Sequence, residues 1–138
     1  MKLVVESAGG VASKVRLGRH ELTFDQPDSV PLGRDAGPSP LDVLAASIGA
    51  CAHYFAAAYL GARQLPVADL RVHVEAEKVK EPSPRFGRLS LRVEVPEGLR
   101  PEQLAALERV VKNCPAYGTI LHAPDVELTF EVSPGAAA

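Results

Sequence analysis

The sequence contains few cysteines and no cluster of basic residues. Two cysteines among 138 residues can form at most one disulfide, which excludes a disulfide-stabilised scaffold. The 15 lysines and arginines are nearly balanced by 17 acids and form no run, so nucleic acid and anionic membranes are not expected partners. The first residues lack the apolar stretch of a secretory signal, and we therefore expect a cytoplasmic protein with reduced thiols.

Internal repeats, blocks of like charge and long linkers are also missing from the sequence. With 46% hydrophobic residues over 138 positions, the chain is long enough and apolar enough to bury one core. We therefore predict a single domain over residues 1–133, followed by a flexible alanine-rich tail over residues 134–138.

Hydrophobic periodicity predicts a mixed α+β fold. Alternation of apolar and polar residues indicates strands over 11–17, 20–25, 70–77, 88–95 and 126–132. A period of 3.6 residues indicates helices over 41–60 and 101–112. The proline-rich stretch over 26–40 has no periodic apolar face, so we predict a long loop and a place for functional residues.

The helix over 41–60 has a clear start and an unusual composition. Ser39 is the predicted N-cap, Pro40 the first helical residue and Asp42 the acid of a capping-box-like pair. The helix is about 30 Å long, the thickness of a bilayer core. A membrane span is nevertheless not favoured, because much of its apolarity is alanine and because Asp42 and His53 interrupt it.

This helix is apolar on nearly every side. Each predicted strand has only one apolar face and the second helix has one apolar stripe, so one chain provides too little surface to cover the first helix. We therefore predict a homodimer in which two copies of this helix pack at the centre and are wrapped by the sheets.

The two cysteines occupy different kinds of position. Cys51 lies in the middle of the first helix, where most cysteines are small buried hydrophobes. Cys114 directly precedes Pro115 and could cap a short helix, whose exposed N–H groups would stabilise a thiolate. On the residues alone, Cys114 is therefore the better candidate for a lowered pKa.

The segment over 37–51, GPSPLDVLAASIGAC, together with the tripeptide Asn113-Cys114-Pro115, resembles the OsmC/Ohr family. The similarity extends along most of the chain. Family members of known activity are thiol peroxidases that reduce organic hydroperoxides. The resemblance implies an OsmC-like α+β fold, with antiparallel sheets wrapped around central helices in an intertwined homodimer, and a site at the subunit interface.

The resemblance also implies roles for both thiols. Cys51 would attack the peroxide as a thiolate and become a sulfenic acid, and Cys114 would resolve it to an intramolecular disulfide. An external dithiol or lipoyl-type reductant would close the cycle. No bound cofactor is expected.

The sequence departs from the family pattern where the activating charges are expected. The peroxidases carry a glutamate directly after the helix-starting proline, paired with an arginine that faces the thiolate. Here Leu41 occupies that position and the acid is Asp42, about 100° further around the helix. Arg34 and Arg19 are the candidates for the arginine. The predicted catalytic residues are Cys51, Cys114, Arg34 and Asp42.

The displaced acid favours one alternative function. In it, the protein is a non-catalytic OsmC-like dimer that binds a small apolar ligand, and its cysteines are packing residues or a slow redox sensor. A purely structural dimer is a third possibility. A metal site is not expected, because the sequence has no CxxC or HxxxH spacing. His53 lies roughly on the opposite side of the helix from Cys51, so the two do not form a reactive pair.

Overall fold

The computed structural model describes residues 1–132, and the predicted tail over 134–138 lies outside the described residues. The mixed α+β prediction is confirmed. The elements follow one another as β1 (Val5–Ser7), β2 (Ser13–Leu17), β3 (His20–Phe24), α1 (Pro40–Gly61), β4 (Arg71–Val79), β5 (Arg85–Glu94), α2 (Pro101–Lys112) and α3 (Pro115–Leu121).

The first three strands form an antiparallel sheet in the order β1-β2-β3. A tight turn at Gly18, where φ is +60°, joins β2 to β3 and pairs Leu17 with His20. Strand β1 was not predicted. Across the described residues this sheet makes no extensive contact with the helices or with the second sheet. Its apolar side chains Val5 and Leu22 consequently remain exposed.

Strands β4 and β5 form a separate antiparallel hairpin, as predicted. The register pairs Val72 with Val93 and Val74 with Leu91, so the apolar residues of both strands share the face that packs against α1. The polar residues between them face outward. This alternation is the one that the sequence predicted, because a half-buried strand places every second side chain in the core.

Helix α1 begins as the sequence predicted. The Ser39 hydroxyl accepts a hydrogen bond from the Asp42 N–H at 3.2 Å, and Pro40 occupies the first turn. By length and composition α1 could cross a bilayer. It packs against α2, α3 and β4 instead, with its buried residues on one side: Ala45, Ile48, Gly49, Ala52, Ala56, Tyr59 and Leu60.

The opposite side of α1 has no covering layer within the described chain. Leu44, Ser47, Ala50, Tyr54 and Ala58 are exposed there. The excess of apolar surface that the sequence predicted for this helix is therefore present in the structure of one chain.

The core lies where α1, α2 and the hairpin meet. Its buried members are Ala56, Tyr59, Leu60, Leu70 and Leu107. The Tyr59 hydroxyl donates to the Gln103 carbonyl oxygen at 3.2 Å, which satisfies its polar end and ties α1 to α2.

The predicted last strand over 126–132 is wrong for the single chain. These residues form no strand, and Val126, Leu128, Phe130 and Val132 are 78% to 97% exposed. Alternation of apolar and polar residues suits a strand, but a strand also needs a neighbouring edge with which to exchange hydrogen bonds. In the described chain this segment pairs with none of the strand edges.

Gly49 allows the close approach of α1 and β4, and we predict that Gly49→Ala destabilises the protein. A Cβ at this position would lie 2.5 Å from Cγ2 of Val74, so a neighbour must shift. Overpacking costs about 1–3 kcal/mol, which exceeds the gain of up to about 1 kcal/mol from replacing a helical glycine by alanine. The free energy of unfolding, measured in urea, should fall.

Gly61→Ala is the matched control, because a Cβ at that position in the same helix meets no atom within 4 Å. Its free energy of unfolding should equal or exceed that of the unmodified protein. Equal effects of the two substitutions would contradict the packing argument.

Candidate functional site

Cys51 lies at the boundary between the buried and exposed sides of α1. Its neighbour Ala52 is fully buried, whereas Ser47, one turn earlier, and Tyr54, three residues later, are exposed. The thiol itself is partly buried and forms no disulfide. Cys51 is therefore accessible from the side of the helix that one chain leaves uncovered.

Cys114 is the N-cap of α3, as the Cys-Pro sequence suggested. Its sulfur accepts a hydrogen bond from the Tyr117 N–H at 3.4 Å, and Pro115 begins the helix. Its own N–H donates to the Val111 carbonyl oxygen at 3.0 Å, which fixes the thiol at the end of α2. The residue is 1% exposed, so this thiol is closed to solvent.

Packing of α3 against α1 brings the two thiols together, although they are 63 positions apart in the sequence. The Cys51 thiol lies close enough to Cys114 to raise the pKa of the Cys114 thiol. Both are free thiols. This proximity is the main chemical feature of the site, because a thiol beside a second thiol can trap an oxidised sulfur as a disulfide.

The pKa expected for Cys114 from the residues alone is wrong. Burial raises the pKa of this thiol above its ordinary value, and the neighbouring Cys51 thiol raises it further. The N–H groups of Tyr117 and Ala116 act in the opposite direction but do not compensate for the lost hydration of the thiolate. Cys114 is consequently a protonated thiol at neutral pH.

Arg34 lies beside the N-terminal sheet. Its Nη2 donates to the carbonyl oxygens of Ala8 at 3.1 Å and Gly9 at 2.9 Å, in the connection between β1 and β2. These hydrogen bonds link the long loop to the sheet and not to a thiol. Arg19, the other candidate, lies in the turn between β2 and β3. Within one chain, the described contacts do not bring either arginine to Cys51.

Asp42 is occupied at the start of α1. Its carboxylate is 2.8 Å from Nζ of Lys78 on β4, and hydrogen bonds from Lys78 and Ser39 lower the pKa of this carboxyl. Asp42 precedes Cys51 by nine positions, which places the two about 13 Å apart along α1 and on opposite sides of it. A contact between Asp42 and Cys51 of the same chain is therefore excluded by the geometry of the helix.

One important residue, at the start of the long loop, was not identified from the sequence. Asp25 follows β3 and is 1% exposed, with its carboxylate bonded to backbone N–H groups of the loop. Alternation placed it on the polar face of the strand, and no local pattern indicates its burial. Only the path of the loop, which folds back over the end of β3, reveals its role.

An apolar cavity of about 370 Å³ lies between β5, α2 and α3. Tyr117, whose N–H bonds to the Cys114 sulfur, forms part of its wall, and the Glu108–Lys112 ion pair lies at its rim. The remaining lining residues are Leu91, Val93, Val95, Leu104, Leu107 and Val111. The cavity is large enough for a small organic molecule and offers it mainly apolar contacts.

The described residues contain no group of three or more His, Cys, Asp or Glu side chains arranged to hold a metal ion.

Comparison with known proteins relates this chain to one family. The family described as OsmC-like protein matches residues 33–129, a range that includes both cysteines and all three helices. Comparison with curated protein sequences finds no significant match.

Solved structures of low sequence identity share the fold. An OsmC-like protein from Mycoplasma pneumoniae superposes with a TM-score of 0.73 at 17% identity, covering 88% of this chain and 87% of that one. An organic hydroperoxide resistance protein OsmC from Legionella pneumophila has a TM-score of 0.62 at 17% identity, covering 86% and 87%. An organic hydroperoxide resistance protein from Elizabethkingia anophelis has a TM-score of 0.61 at 19% identity, covering 86% and 88%.

The different environments of the two thiols predict different rates of alkylation. In the folded, reduced protein at pH 8, iodoacetamide should modify Cys51 first. Cys114 should react slowly, because it is 1% exposed and because its raised pKa leaves less thiolate than an ordinary cysteine has at that pH. Mass spectrometry of peptides after timed quenching measures both rates.

Unfolding in urea is the control for this experiment, since both cysteines should then react at similar rates. Equal labelling of the two in the folded protein would contradict the assigned burial of Cys114.

Proposed function

The chain belongs to the OsmC-like family, and from this we propose that it is a thiol peroxidase that reduces organic hydroperoxides with Cys51 and Cys114. The observation that carries the proposal is the meeting of two free thiols from distant parts of the sequence. In the single chain Cys51 is partly exposed and Cys114 is buried. A peroxidatic thiol must meet its substrate, whereas a resolving thiol has only to meet the first sulfur.

In the first step, the Cys51 thiolate attacks the terminal oxygen of the hydroperoxide. The new S–O bond forms as the O–O bond breaks, and the leaving alkoxide takes up a proton to become an alcohol. Cys51 is then a sulfenic acid. The peroxide oxygen has been reduced by two electrons from sulfur.

In the second step, the Cys114 sulfur attacks the sulfenic sulfur. Its thiol proton leaves with the displaced hydroxide as water, and a disulfide joins Cys51 to Cys114. Because burial keeps Cys114 protonated, it does not compete for the peroxide at neutral pH. An external dithiol, of the lipoyl type or another class, then reduces the disulfide. We place this cycle in the cytoplasm, where thiols are kept reduced.

The apolar cavity supports an organic substrate. Its wall includes Tyr117, whose backbone N–H donates to the Cys114 sulfur. An apolar alkyl group gains free energy by leaving water for such a cavity, whereas hydrogen peroxide has no apolar surface to bury. We therefore propose bulky organic hydroperoxides as the substrate class.

We also propose that the working form is an intertwined homodimer. Three features of the single chain support this: the N-terminal sheet does not pack on the helices or the second sheet, one side of α1 is exposed, and the apolar side chains over 126–132 are in solvent. A second copy would cover apolar surface at all three, and Cys51, at the edge of the exposed side of α1, would then line the subunit interface. In this dimer the Arg34 guanidinium of one copy would stabilise the Cys51 thiolate of the other copy. Asp42 would be the acid that pairs with this arginine.

A second function is favoured by the contacts of the charged residues. Arg34 is bonded to backbone carbonyl oxygens and Asp42 to Lys78, so the activating pair is not assembled in one chain. With no activation, the same dimer would bind a small apolar molecule in the cavity and its thiols would oxidise slowly.

The peroxidase proposal predicts specific mass changes after a stoichiometric pulse of an organic hydroperoxide on the reduced protein. The unmodified chain should lose two hydrogens as the disulfide forms. Cys114→Ser should gain one oxygen at Cys51, because its sulfenic acid has no thiol to trap it. Cys51→Ser should remain unchanged.

Intact-mass spectrometry within seconds of the pulse measures all three proteins. An unchanged mass of the unmodified chain would contradict the peroxidase proposal and favour the ligand-binding alternative, which a search for a co-purifying apolar molecule would then address.

The dimer proposal predicts a mass of twice 14.6 kDa in light scattering at micromolar concentration. Ala50→Arg, on the exposed side of α1, should give a monomer, because a buried guanidinium without a partner is costly. Ala105→Arg, at an exposed alanine of α2, is the matched control and should stay dimeric. A monomeric mass of the unmodified chain would contradict the proposal.

A further inference from the structure

Asp25 is the one charged residue that is buried in the described part of the chain. A buried carboxylate is costly unless hydrogen bonds satisfy both of its oxygens. Oδ1 accepts from the Gln26 N–H at 2.8 Å, and Oδ2 accepts from the N–H groups of Arg34 at 3.2 Å and Ala36 at 3.1 Å. All three donors belong to the loop between β3 and α1, so one side chain organises that loop.

The backbone around Asp35 is shaped to receive this carboxylate. Asp35 has a φ of +52°, in the left-handed region that residues other than glycine seldom adopt. This conformation turns the N–H groups on either side of it, at Arg34 and Ala36, toward the same oxygen of Asp25. Such a concave pair of N–H groups is an anion-binding nest, here filled by the protein's own carboxylate. The Asp35 N–H donates to the Gln26 carbonyl oxygen at 3.0 Å and closes the loop.

Arg34 is held at both its backbone and its side chain. Its N–H donates to the Asp25 carboxylate, and its guanidinium donates to the carbonyl oxygens of Ala8 and Gly9. Each of these three hydrogen bonds has one ionised partner, and such bonds are about twice as strong as those between neutral groups. In the described chain the guanidinium has no ion pair within 4 Å, and the residue is exposed. It therefore keeps its capacity to face an anion.

We propose that Asp25 is a positioning residue of the thiol site: by filling the nest at Arg34 and Ala36, it sets where the Arg34 guanidinium stands relative to Cys51 of the second copy. This inference rests on the proposed function and on the dimer. Asp25 does not touch the peroxide or the thiols. It acts through Arg34, because a cation stabilises a thiolate best when its position is fixed in advance.

The charge state of Asp25 suits this role. The three N–H groups hold the pKa of its carboxyl below the ordinary value, Gln26 contributing most. The side chain therefore stays ionised throughout the pH range in which a thiol titrates. The loop keeps its conformation while the thiolate forms.

The test is the pH profile of Cys51 alkylation in the dimeric protein, with Asp25→Asn as the main variant. A cation near a thiolate lowers the thiol pKa by one unit or more, so loss of Arg34 in Arg34→Gln should raise the midpoint of the profile by about one unit. Asp25→Asn should raise it by a similar amount. Asp28→Asn, at an exposed acid of the same loop, is the control and should leave the midpoint unchanged.

The double variant of Asp25→Asn with Arg34→Gln separates positioning from general damage. If Asp25 acts through Arg34, the double variant has the same midpoint as Arg34→Gln alone. An added shift of similar size in the Arg34→Gln background would overturn the proposal. So would an unchanged midpoint in Asp25→Asn, or in Arg34→Gln.

A second pair of variants keeps the test valid if Asp25→Asn fails to fold. Asp35→Pro cannot hold a φ of +52°, because the proline ring fixes φ near −65°. Asp35→Gly adopts the left-handed conformation freely. The proline variant should raise the midpoint and the glycine variant should not. Equal midpoints for the two would overturn the role of the nest.

The result of this experiment does not depend on peroxidase activity. Alkylation requires no peroxide, so the link from Asp25 through Arg34 to Cys51 is measured even in a protein without peroxidase activity. A Cys51 that forms a sulfenic acid with hydroperoxide while Asp25→Asn leaves its profile unchanged would keep the peroxidase and remove the positioning role.

Discussion

The packing around α1 is the constraint on which the rest of the structure depends. Small residues on its buried side let neighbouring elements approach closely, and Gly49 has no room for a side chain beside Val74 of β4. The same packing brings α3 against α1 and so places Cys114 beside Cys51. A chain that could not bury α1 would lose both its core and its pair of thiols.

Burial and hydrogen bonding compete at the two key polar groups, and the outcome differs. At Cys114, removal from water outweighs the N–H groups at the start of α3, so the thiol stays protonated. At Asp25, three backbone donors outweigh the loss of hydration, so the carboxylate stays charged. The number and direction of the donors decide between these outcomes, because each buried charge needs several hydrogen bonds to replace its water.

Local patterns were sufficient for much of the fold. The alternation in β4 and β5 and the start of α1 at Ser39 and Pro40 were predicted correctly, because each depends on residues close together in the chain. The strand expected over 126–132 was wrong, since a strand requires pairing with a neighbouring edge and this segment pairs with none in the described chain. For the site, the cysteines followed from a family resemblance, whereas Asp25 was missed because its donors come from a loop with no periodicity.

The sequence by itself determined the α+β class, the long apolar helix and the positions of the two cysteines. One cysteine lies on that helix and the other follows α2. Periodicity and helix-start residues act over a few positions, so they need no knowledge of the fold. Only the tertiary structure decided that two thiols 63 positions apart lie close together. It also decided that Arg34 binds backbone carbonyl oxygens and that Asp42 binds Lys78. The role of Asp25 in organising the loop is likewise a tertiary feature. These are contacts between distant residues, and their energies depend on burial and direction, which no local pattern contains.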